Sequence, residues 1–352
     1  MNYRGELMKK IIIPTGYMGS GSSAVTDLLR EYPVINTKNA DFEYIFLHAP
    51  NGVFDLENKL LKNNNAIRSD EALKTFKYFM TSLYEYRGWW PAGYRQKVSK
   101  NIDNIVEEYI NNLTTSEFPG AWYYYEKPST TIWLLNAIKN RIFRLLNIRT
   151  KKIRPKQQQL YFSLLSPDEF YKYSNLFINN IIDEFSKNDD YVVLDQLLLP
   201  HNLQTIENYK MDNLYPIIVS RDPRDVFISN KYYWYPDNYQ VPYPLDPYEF
   251  CKYYKTVRKS EPHSNNRILR INFEDLILNY EQSVELIENY LELPKGSHKE
   301  KLKYLNPNLS INNIQIYNRN DKYKDEVTII EQELSEYLYP FKNEIISDGD
   351  IF

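Results

Sequence analysis

Short apolar, β-branched runs alternate with helix-like patterns along much of the chain. The first run lies at residues 9–13 (KKIII), and Ala24, Val25, Leu28 and Leu29 recur behind it at helical spacing. Further runs of this kind occur at residues 33–37, 191–195, 215–220 and 267–273. Strands that alternate with helices predict an α/β fold with a doubly wound, mostly parallel sheet flanked by helices. Ligands of such sheets bind beyond the carboxyl ends of the strands, so the residues that follow each run are the candidates for a site.

Residues 56–188 have a different pattern, which is helix-rich, aromatic and charged, with no predicted strand. We therefore expect a single domain over residues 1–352, in which 9–55 and 189–345 form the sheet core and 56–188 form a helical insertion on the substrate side. Within the insertion, residues 132–154 are basic and amphipathic. This pattern is typical of a peripheral contact with a membrane surface or an acidic polymer. It is more commonly that of an ordinary packed helix with a solvated basic face.

Composition narrows the class of protein. The 352 residues include one cysteine, Cys251, so no intrachain disulfide forms, and a reducing compartment is expected. A formal net charge of -3 gives no general attraction to nucleic acid. No apolar run reaches the length of a membrane span, and the first residues lack the apolar core of a signal peptide. We expect a cytoplasmic protein that does not bind nucleic acid; the oligomeric state is not predicted.

A loop rich in glycine and serine, PTGYMGSGSSAV, follows the first run at residues 14–25. A strand, a glycine-rich turn and a helix N-terminus form an anion site, because the first-turn N–H groups lack partners within the helix. Glycine also lets the backbone approach a phosphate closely. The residues expected to hold phosphate are Gly16, Tyr17, Met18, Gly19, Ser20, Gly21, Ser22 and Ser23. A nucleoside-triphosphate loop carries lysine where this chain has Ser22, so the phosphate held here is of another kind.

A second candidate anion site lies in residues 219–234, VSRDPRDVFISNKYYW. Arg221 follows the run that ends at residue 220, Asp222 is a good helix N-cap, and Pro223 suits the first helical position. A guanidinium binds phosphate bidentately, and the Ser229 hydroxyl would share the ligand. By itself the stretch equally indicates a salt-bridged corner between strand and helix, with an arginine paired to a neighbouring aspartate.

Together the two stretches resemble the sulfotransferases that use 3′-phosphoadenosine 5′-phosphosulfate (PAPS), closer to the carbohydrate-modifying bacterial branch. In that family a loop of the type Lys/Arg-Ser/Thr-Gly-Thr/Ser-Thr/Ser holds the 5′-phosphosulfate, and it corresponds to residues 19–23. The Arg and Ser of a second motif, Arg-x-Pro-x-Asp with a later Ser, hold the 3′-phosphate and correspond to Arg221 and Ser229. Residues 270–293 resemble the family's late strand, Glu-Asp-Leu element and helix, and 312–326 resemble its cofactor-closing loop.

The resemblance implies a P-loop-like fold and sulfuryl transfer from PAPS, with 3′,5′-adenosine bisphosphate as product and no metal required. It does not extend to residues 60–188. One position departs from the family, which has Lys or Arg where this chain has Gly19. That cation neutralises charge on the bridging oxygen as the sulfuryl group leaves. Three outcomes follow: backbone N–H groups suffice, the protein binds the donor without rapid turnover, or another cation replaces the missing one, with Arg68, Arg224 and Lys231 as candidates.

Sulfuryl transfer to a hydroxyl needs a general base. The carbohydrate branch often uses a glutamate soon after its second strand, which corresponds to Glu43 in FEYIF, and Ala24 replaces a tryptophan of the cytosolic branch. Both features imply a saccharide or glycolipid acceptor. His48 is a second candidate base, although a histidine among apolar neighbours is more often structural. The residues expected to contact the acceptor follow the run at 191–195, and they are Asp195, Gln196 and His201, the last also a candidate base.

Aromatic clusters suit either sugar stacking or core packing, and they are Trp89–Trp90, Trp122 and Tyr232–Tyr235. Two alternatives belong to other functional classes. A nucleotide kinase or other phosphotransferase would need ATP and Mg²⁺, and the missing loop lysine argues against it. A non-catalytic nucleotide-binding protein of the same fold is the other alternative, because Gly19 removes the family's catalytic cation.

Overall fold

The computed structural model describes residues 9–17, 19–40, 42–86, 88–122, 129–146, 157–234, 243–262, 267–343, 345, 349 and 351. The strands within these ranges are β1 (Lys10–Gly16), β2 (Ile35–Asn36), β3 (Ser116–Gly120), β4 (Gln158–Phe162), β5 (Tyr191–Val193), β6 (Leu214–Ser220) and β7 (Leu269–Asn272).

A parallel sheet in the order β2-β5-β1-β6-β7 forms the centre of the molecule. Strand β1 lies between β5 and β6, because Ile12 pairs with Val193 and Gly16 pairs with Val219. The pairs β2–β5 and β6–β7 are parallel as well. The α/β fold with a parallel sheet that the sequence predicts is therefore confirmed.

Helices cover both faces of this sheet. They are α1 (Ser22–Arg30), α2 (Val53–Glu57), α3 (Ala66–Glu85), α4 (Tyr94–Lys97), α5 (Ile102–Leu113), α6 (Thr130–Leu145), α7 (Pro167–Ser186), α8 (Pro223–Ile228), α9 (Pro247–Lys259), α10 (Phe273–Leu278), α11 (Tyr280–Leu291), α12 (Pro307–Ser310) and α13 (Lys324–Glu333). Several start at a sequence-coded signal. Ser166 and Glu169 form a capping box at α7, while Asp222 and Asp246 cap α8 and α9, each ahead of a proline.

Three consecutive isoleucines of β1 anchor the two halves of the core. Ile11, Ile12 and Ile13 are fully buried. Because side chains alternate across a strand, Ile11 and Ile13 pack with residues of α3, α5 and α7, whereas Ile12 packs with residues of α1, α10 and α11. Full burial of one such side chain stabilises the fold by about 1.5–3 kcal/mol. The helices of residues 56–188 therefore share their core with the sheet.

An antiparallel hairpin corrects the prediction that residues 56–188 contain no strand. Strands β3 and β4 pair from Ser116 opposite Phe162 to Gly120 opposite Gln158, and α6 lies in the chain between them. Within the part of the chain described, no helix is both long and apolar enough to cross a membrane.

Candidate functional site

The loop after β1 connects the strand to α1 through two glycines in the left-handed region. Gly19 has φ 84° and Gly21 has φ 85°, a conformation that favours glycine over other residues. Gly21 is the N-cap of α1, and no side chain caps the helix there. The N–H of Ala24 donates to the Gly21 carbonyl at 3.0 Å, and those of Ser22 and Ser23 are left for another acceptor. Gly21, Ser22, Ser23 and Ala24 line a cavity of about 620 Å³, a size typical of ligand sites.

Gly19 stands where the sulfotransferase loop carries a cation, and the backbone explains why a side chain is absent. Gly19 has a left-handed φ, and in addition a Cβ built on it would lie 2.9 Å from Nδ2 of Asn230. Asn230 is held in place because its amide donates to the Val226 carbonyl at 2.8 Å. A lysine or arginine at this position would therefore strain the loop and collide with Asn230.

Arg221 meets this loop across the sheet. It directly follows β6, the parallel neighbour of β1, and it is 4% exposed. Its Nη1 donates to the Gly19 carbonyl at 3.1 Å, and its Nη2 donates to the carbonyl of Asn313. The guanidinium carbon lies 5.2 Å from the centre of the Phe273 ring. Two turns that are 200 residues apart in sequence are thus brought to one edge of the sheet, and both line the cavity.

The salt-bridged corner is formed by Arg224 rather than by Arg221. Arg224 pairs with Asp222 at 2.8 Å and with Glu331 at 2.7 Å, and its guanidinium lies 4.0 Å from the centre of the Tyr317 ring. Lys231 pairs with Glu326. Two of the candidate replacement cations are therefore occupied by carboxylates, and Arg68, on α3, lies outside the cavity lining.

Two carboxylates occupy the other side of β1. Asp195 follows β5, and the backbone N–H of Tyr44 donates to its carbonyl oxygen at 2.9 Å, which brings Glu43 to the same place. Both Asp195 and Glu43 line the cavity. Burial raises the pKa of the Glu43 carboxyl. The sequence-predicted base and one predicted acceptor contact therefore share the end of the cavity opposite Arg221.

Gln196 connects the carboxylate end of the cavity to the loop after β1 through hydrogen bonds. It has φ 55°, and its amide donates to the Ser22 hydroxyl at 3.2 Å while its side-chain oxygen accepts from Thr15 at 3.1 Å. Its backbone carbonyl accepts a hydrogen bond of 2.9 Å from Nε2 of His48. Gln196 therefore fixes the loop through hydrogen bonds, in addition to lining the cavity.

Four predicted site residues lie outside the cavity lining. Burial lowers the pKa of His48 to about 4, so His48 is neutral and serves to hold Gln196. His201 stacks against Tyr17 with ring centres 6.4 Å apart. Ser20 and Ser229 are buried, and the hydroxyl oxygen of each lacks a hydrogen-bond partner within the described structure. Met18 lies outside the described residues.

Several lining residues could not be recognised in the sequence. Tyr304 and Leu305 reach the cavity because their backbone N–H groups donate to the carboxylate of Glu31, each at 3.0 Å. Glu31 is fully buried at the end of α1 and also contacts Nε2 of His298 at 2.6 Å. The only signal in the sequence is a glutamate at the end of an apolar helix, which gives no indication of its distant partners.

Charge is unevenly distributed among the lining residues that the structure describes. Arg221 is the one basic side chain, on the β6 side of β1. Asp27, Glu43 and Asp195 are acidic, and Asp27 is bonded to Arg30 at 2.9 Å. No cluster of three or more histidine, cysteine or acidic side chains suited to a metal is present in the described ranges. One end of the cavity therefore has a guanidinium and backbone N–H groups, which suit an anion. The other end has carboxylates.

Comparison with family models and with curated protein sequences gives no match. Among solved structures, the chain is similar to sulfotransferase STF9 from Mycobacterium avium, with 11% identity, a TM-score of 0.38, and 97% of this chain and 79% of that one covered. It is also similar to a sulfotransferase domain from the curacin biosynthetic pathway, with 12% identity, a TM-score of 0.38, and 96% and 100% covered. A third is a sulfotransferase domain from the Synechococcus PCC 7002 olefin synthase, with 12% identity, a TM-score of 0.33, and 96% and 98% covered. The function proposed below rests on the residues of this chain.

Proposed function

We propose that this protein is a sulfotransferase that moves the sulfuryl group of PAPS to a hydroxyl of a saccharide or glycolipid. One observation carries the proposal: the guanidinium of Arg221 lies 3.1 Å from the carbonyl oxygen of Gly19. The glycine loop and the arginine thus face one cavity, which also contains two carboxylates. An adenosine that carries a phosphate at each of two positions needs two such anion sites. It does not need the loop lysine that binds a nucleoside triphosphate.

The donor end of the cavity fits two phosphates. The N–H groups of Gly21, Ser22 and Ser23, at the uncapped N-terminus of α1, would hold the 5′ end, and Arg221 would hold the 3′-phosphate. Arg221 has spare donors, because its buried Nε has no partner within the described structure. Its bonds to two neutral backbone carbonyls are weaker than bonds to a charged phosphate, so exchange of acceptors on binding is favourable. When bound, PAPS supplies the activated sulfuryl group.

The acceptor end supplies a base. Glu43 would take the proton of the acceptor hydroxyl, and the burial that raises its carboxyl pKa makes the carboxylate a stronger base near neutral pH. Asp195 lies beside it and would orient the hydroxyl. Trp90 and Trp234 also line the cavity. Aromatic faces of this kind stack against the apolar faces of sugar rings, which supports a saccharide acceptor.

Loop N–H groups take the place of the missing cation in this proposal. Gly19 excludes a side chain for steric reasons, and the backbone donors at the start of α1 are the groups next to it. Fixed backbone donors of this kind stabilise developing negative charge without reorganising, and each contributes roughly 3 kcal/mol to lowering a barrier.

Calorimetric titration tests the donor site. The protein is expected to bind 3′,5′-adenosine bisphosphate in the absence of metal and to bind ATP with Mg²⁺ much more weakly. Arg221→Ala should weaken bisphosphate binding by about 2 kcal/mol, roughly 30-fold, because a charge-assisted bond is lost. Arg267→Ala is the matched control, since it removes an exposed cation away from the cavity and should leave the affinity unchanged. Tighter binding of ATP with Mg²⁺ than of the bisphosphate would instead indicate a kinase.

A transfer assay tests the reaction. Labelled sulfate should move from PAPS to one or more members of a panel of oligosaccharides and glycolipids. Glu43→Gln should lower kcat while leaving bisphosphate affinity intact, whereas Glu281→Gln, at an exposed position, should change neither. Tight bisphosphate binding without transfer to any acceptor of the panel would favour the non-catalytic binding protein.

A further inference from the structure

Among the described helices of nine or more residues, α6 (Thr130–Leu145) alone has no buried residue. Seven of its large apolar side chains are between 49% and 80% exposed, and they are Ile132, Trp133, Leu134, Leu135, Ile138, Ile142 and Leu145. A contiguous apolar surface of this kind on a soluble protein marks an interaction site. We therefore expect the apolar surface of α6 to be covered by a partner in the functional state of the protein.

The exposed side chains of α6 are arranged as an amphipathic helix. At 3.6 residues per turn, one face carries five apolar side chains together with Thr131, and the apolar ones are Leu134, Leu135, Ile138, Ile142 and Leu145. Lys139 and Arg141 fall at the two edges of that face, and Arg144 falls on the opposite side. An apolar face bordered by cations is the arrangement of helices that lie in the plane of a membrane interface.

The charge of this region points to an anionic partner. From the N-cap Ser129 to Leu146, the chain has three basic residues and no acidic one. The ten residues that follow in the sequence, 147–156, add five basic and again no acidic residues. The chain as a whole has a formal net charge of -3, so this concentration of positive charge runs against the rest of the molecule.

We propose that α6 docks on an anionic lipid surface. Its apolar face would enter the headgroup boundary while Lys139 and Arg141, at the edges of that face, contact lipid phosphates. A second copy of the chain is a poorer partner, because pairing two α6 helices would bring like charges together. A lipid surface also suits a glycolipid acceptor, but the docking holds whatever reaction the cavity catalyses.

Vesicle co-sedimentation of the full chain tests this proposal without any substrate. The vesicles consist of phosphatidylcholine alone or of phosphatidylcholine mixed with phosphatidylglycerol, at low and at high sodium chloride. The wild type should bind the anionic vesicles at low salt, bind them less at high salt, and bind phosphatidylcholine at least tenfold more weakly. Each cation near the surface contributes about fivefold to binding, so Lys139→Gln/Arg141→Gln should weaken it roughly 25-fold.

A matched pair of apolar variants tests the role of the face itself. Ile138→Ser/Ile142→Ser should abolish binding, whereas Leu164→Ser/Leu286→Ser, at comparably exposed positions elsewhere, should leave it unchanged. All four positions are exposed, so the melting temperature of both variants should match that of the wild type. Failure of the wild type to bind anionic vesicles at low salt overturns the proposal. So does binding that neither α6 variant weakens, and so does a dimer lost only in the α6 variants without vesicle binding, which would assign the face to a second copy.

Discussion

Replacement of Gly21 by alanine tests whether the geometry of the phosphate loop is set by Gly21 and Phe273 together. A Cβ built on Gly21 would lie 2.6 Å from Cδ2 and 3.0 Å from Cγ of the Phe273 ring. The ring cannot yield easily, because Phe273 is 5% exposed and the guanidinium of Arg221 lies 5.2 Å from the ring centre. The added methyl group must therefore displace the start of α1 or push the ring toward Arg221.

The expected cost has two parts. A residue with a Cβ in the left-handed region costs about 1 kcal/mol relative to glycine. Forcing an extra carbon into a packed site costs typically 1–3 kcal/mol more. Gly21→Ala should therefore lower the free energy of unfolding by about 2–4 kcal/mol. It should also weaken bisphosphate binding, because either the start of α1 or the surroundings of Arg221 must shift.

Gly296→Ala is the matched control. Gly296 also has a left-handed φ of 71°, but a Cβ built there meets no atom within 4 Å. This variant should lose only the backbone part, about 1 kcal/mol, and keep its affinity for the bisphosphate. Urea unfolding with an unchanged m-value gives both stabilities, and calorimetric titration gives both affinities.

A double-mutant cycle isolates the contact with the ring. In a Phe273→Ala background the obstructing Cγ and Cδ2 atoms are absent, so Gly21→Ala should cost about as much as Gly296→Ala does in the wild type, about 1 kcal/mol. Equal losses for Gly21→Ala and Gly296→Ala in the wild-type background, or an unchanged cost of Gly21→Ala when residue 273 is alanine, would refute the steric reasoning.

Three further predictions concern buried titratable groups. Burial lowers the pKa of His48 from 6.5 to about 4, so between these pH values the unfolded chain takes up a proton that folded His48 does not. The free energy of unfolding therefore falls as the pH drops from 6.5 to about 4. In His48→Gln the urea midpoint of unfolding should fall less over this range than in the wild type. Burial raises the pKa of Glu274 from 4.5 to about 8, so the folded chain retains the proton and stability falls as the pH rises from 4.5 through 8; in Glu274→Gln this decline should be smaller than in the wild type. Cys251 is 1% exposed, and burial raises its pKa to about 11, so a thiol reagent should label it only after urea unfolds the chain, and rapid labelling of native protein would show that the site is open.

The sequence predicts the sheet well, because its strands carry a strong local signal. The isoleucines of β1 and the apolar residues of β6 are buried on both faces, as in the continuous apolar runs of a parallel sheet. The hairpin was not predicted, because β3 reads SEFPG, in which proline and glycine argue against a strand and none of the five residues is buried. It pairs with a strand that begins 38 residues after β3 ends, so only tertiary structure reveals it.

The site is predictable where residues follow strands, and less so where a distant segment returns to the cavity. Arg221 and Asp195 follow β6 and β5, so the sequence is enough to place both at the carboxyl edge of the sheet. Ser229, by contrast, lies in the π-helical turn Ser229–Trp234, which turns its side chain into the interior. His48 resembles a base in sequence, but its bond to the Gln196 carbonyl can be seen only once the sheet has formed.

The position of β1 between β5 and β6 explains why one side of the cavity is basic and the other is acidic. The chain crosses over β1 between these two strands, which opens a crevice at the carboxyl end of β1. Arg221 stands on one side of that crevice, and Asp195 with Glu43 stands on the other. In the proposed function, a doubly phosphorylated nucleotide would be held with its phosphates toward Arg221 and the loop, because like charges repel, and the carboxylate side would be left for an uncharged hydroxyl. The strand order would then determine both where the donor binds and from which side the acceptor approaches.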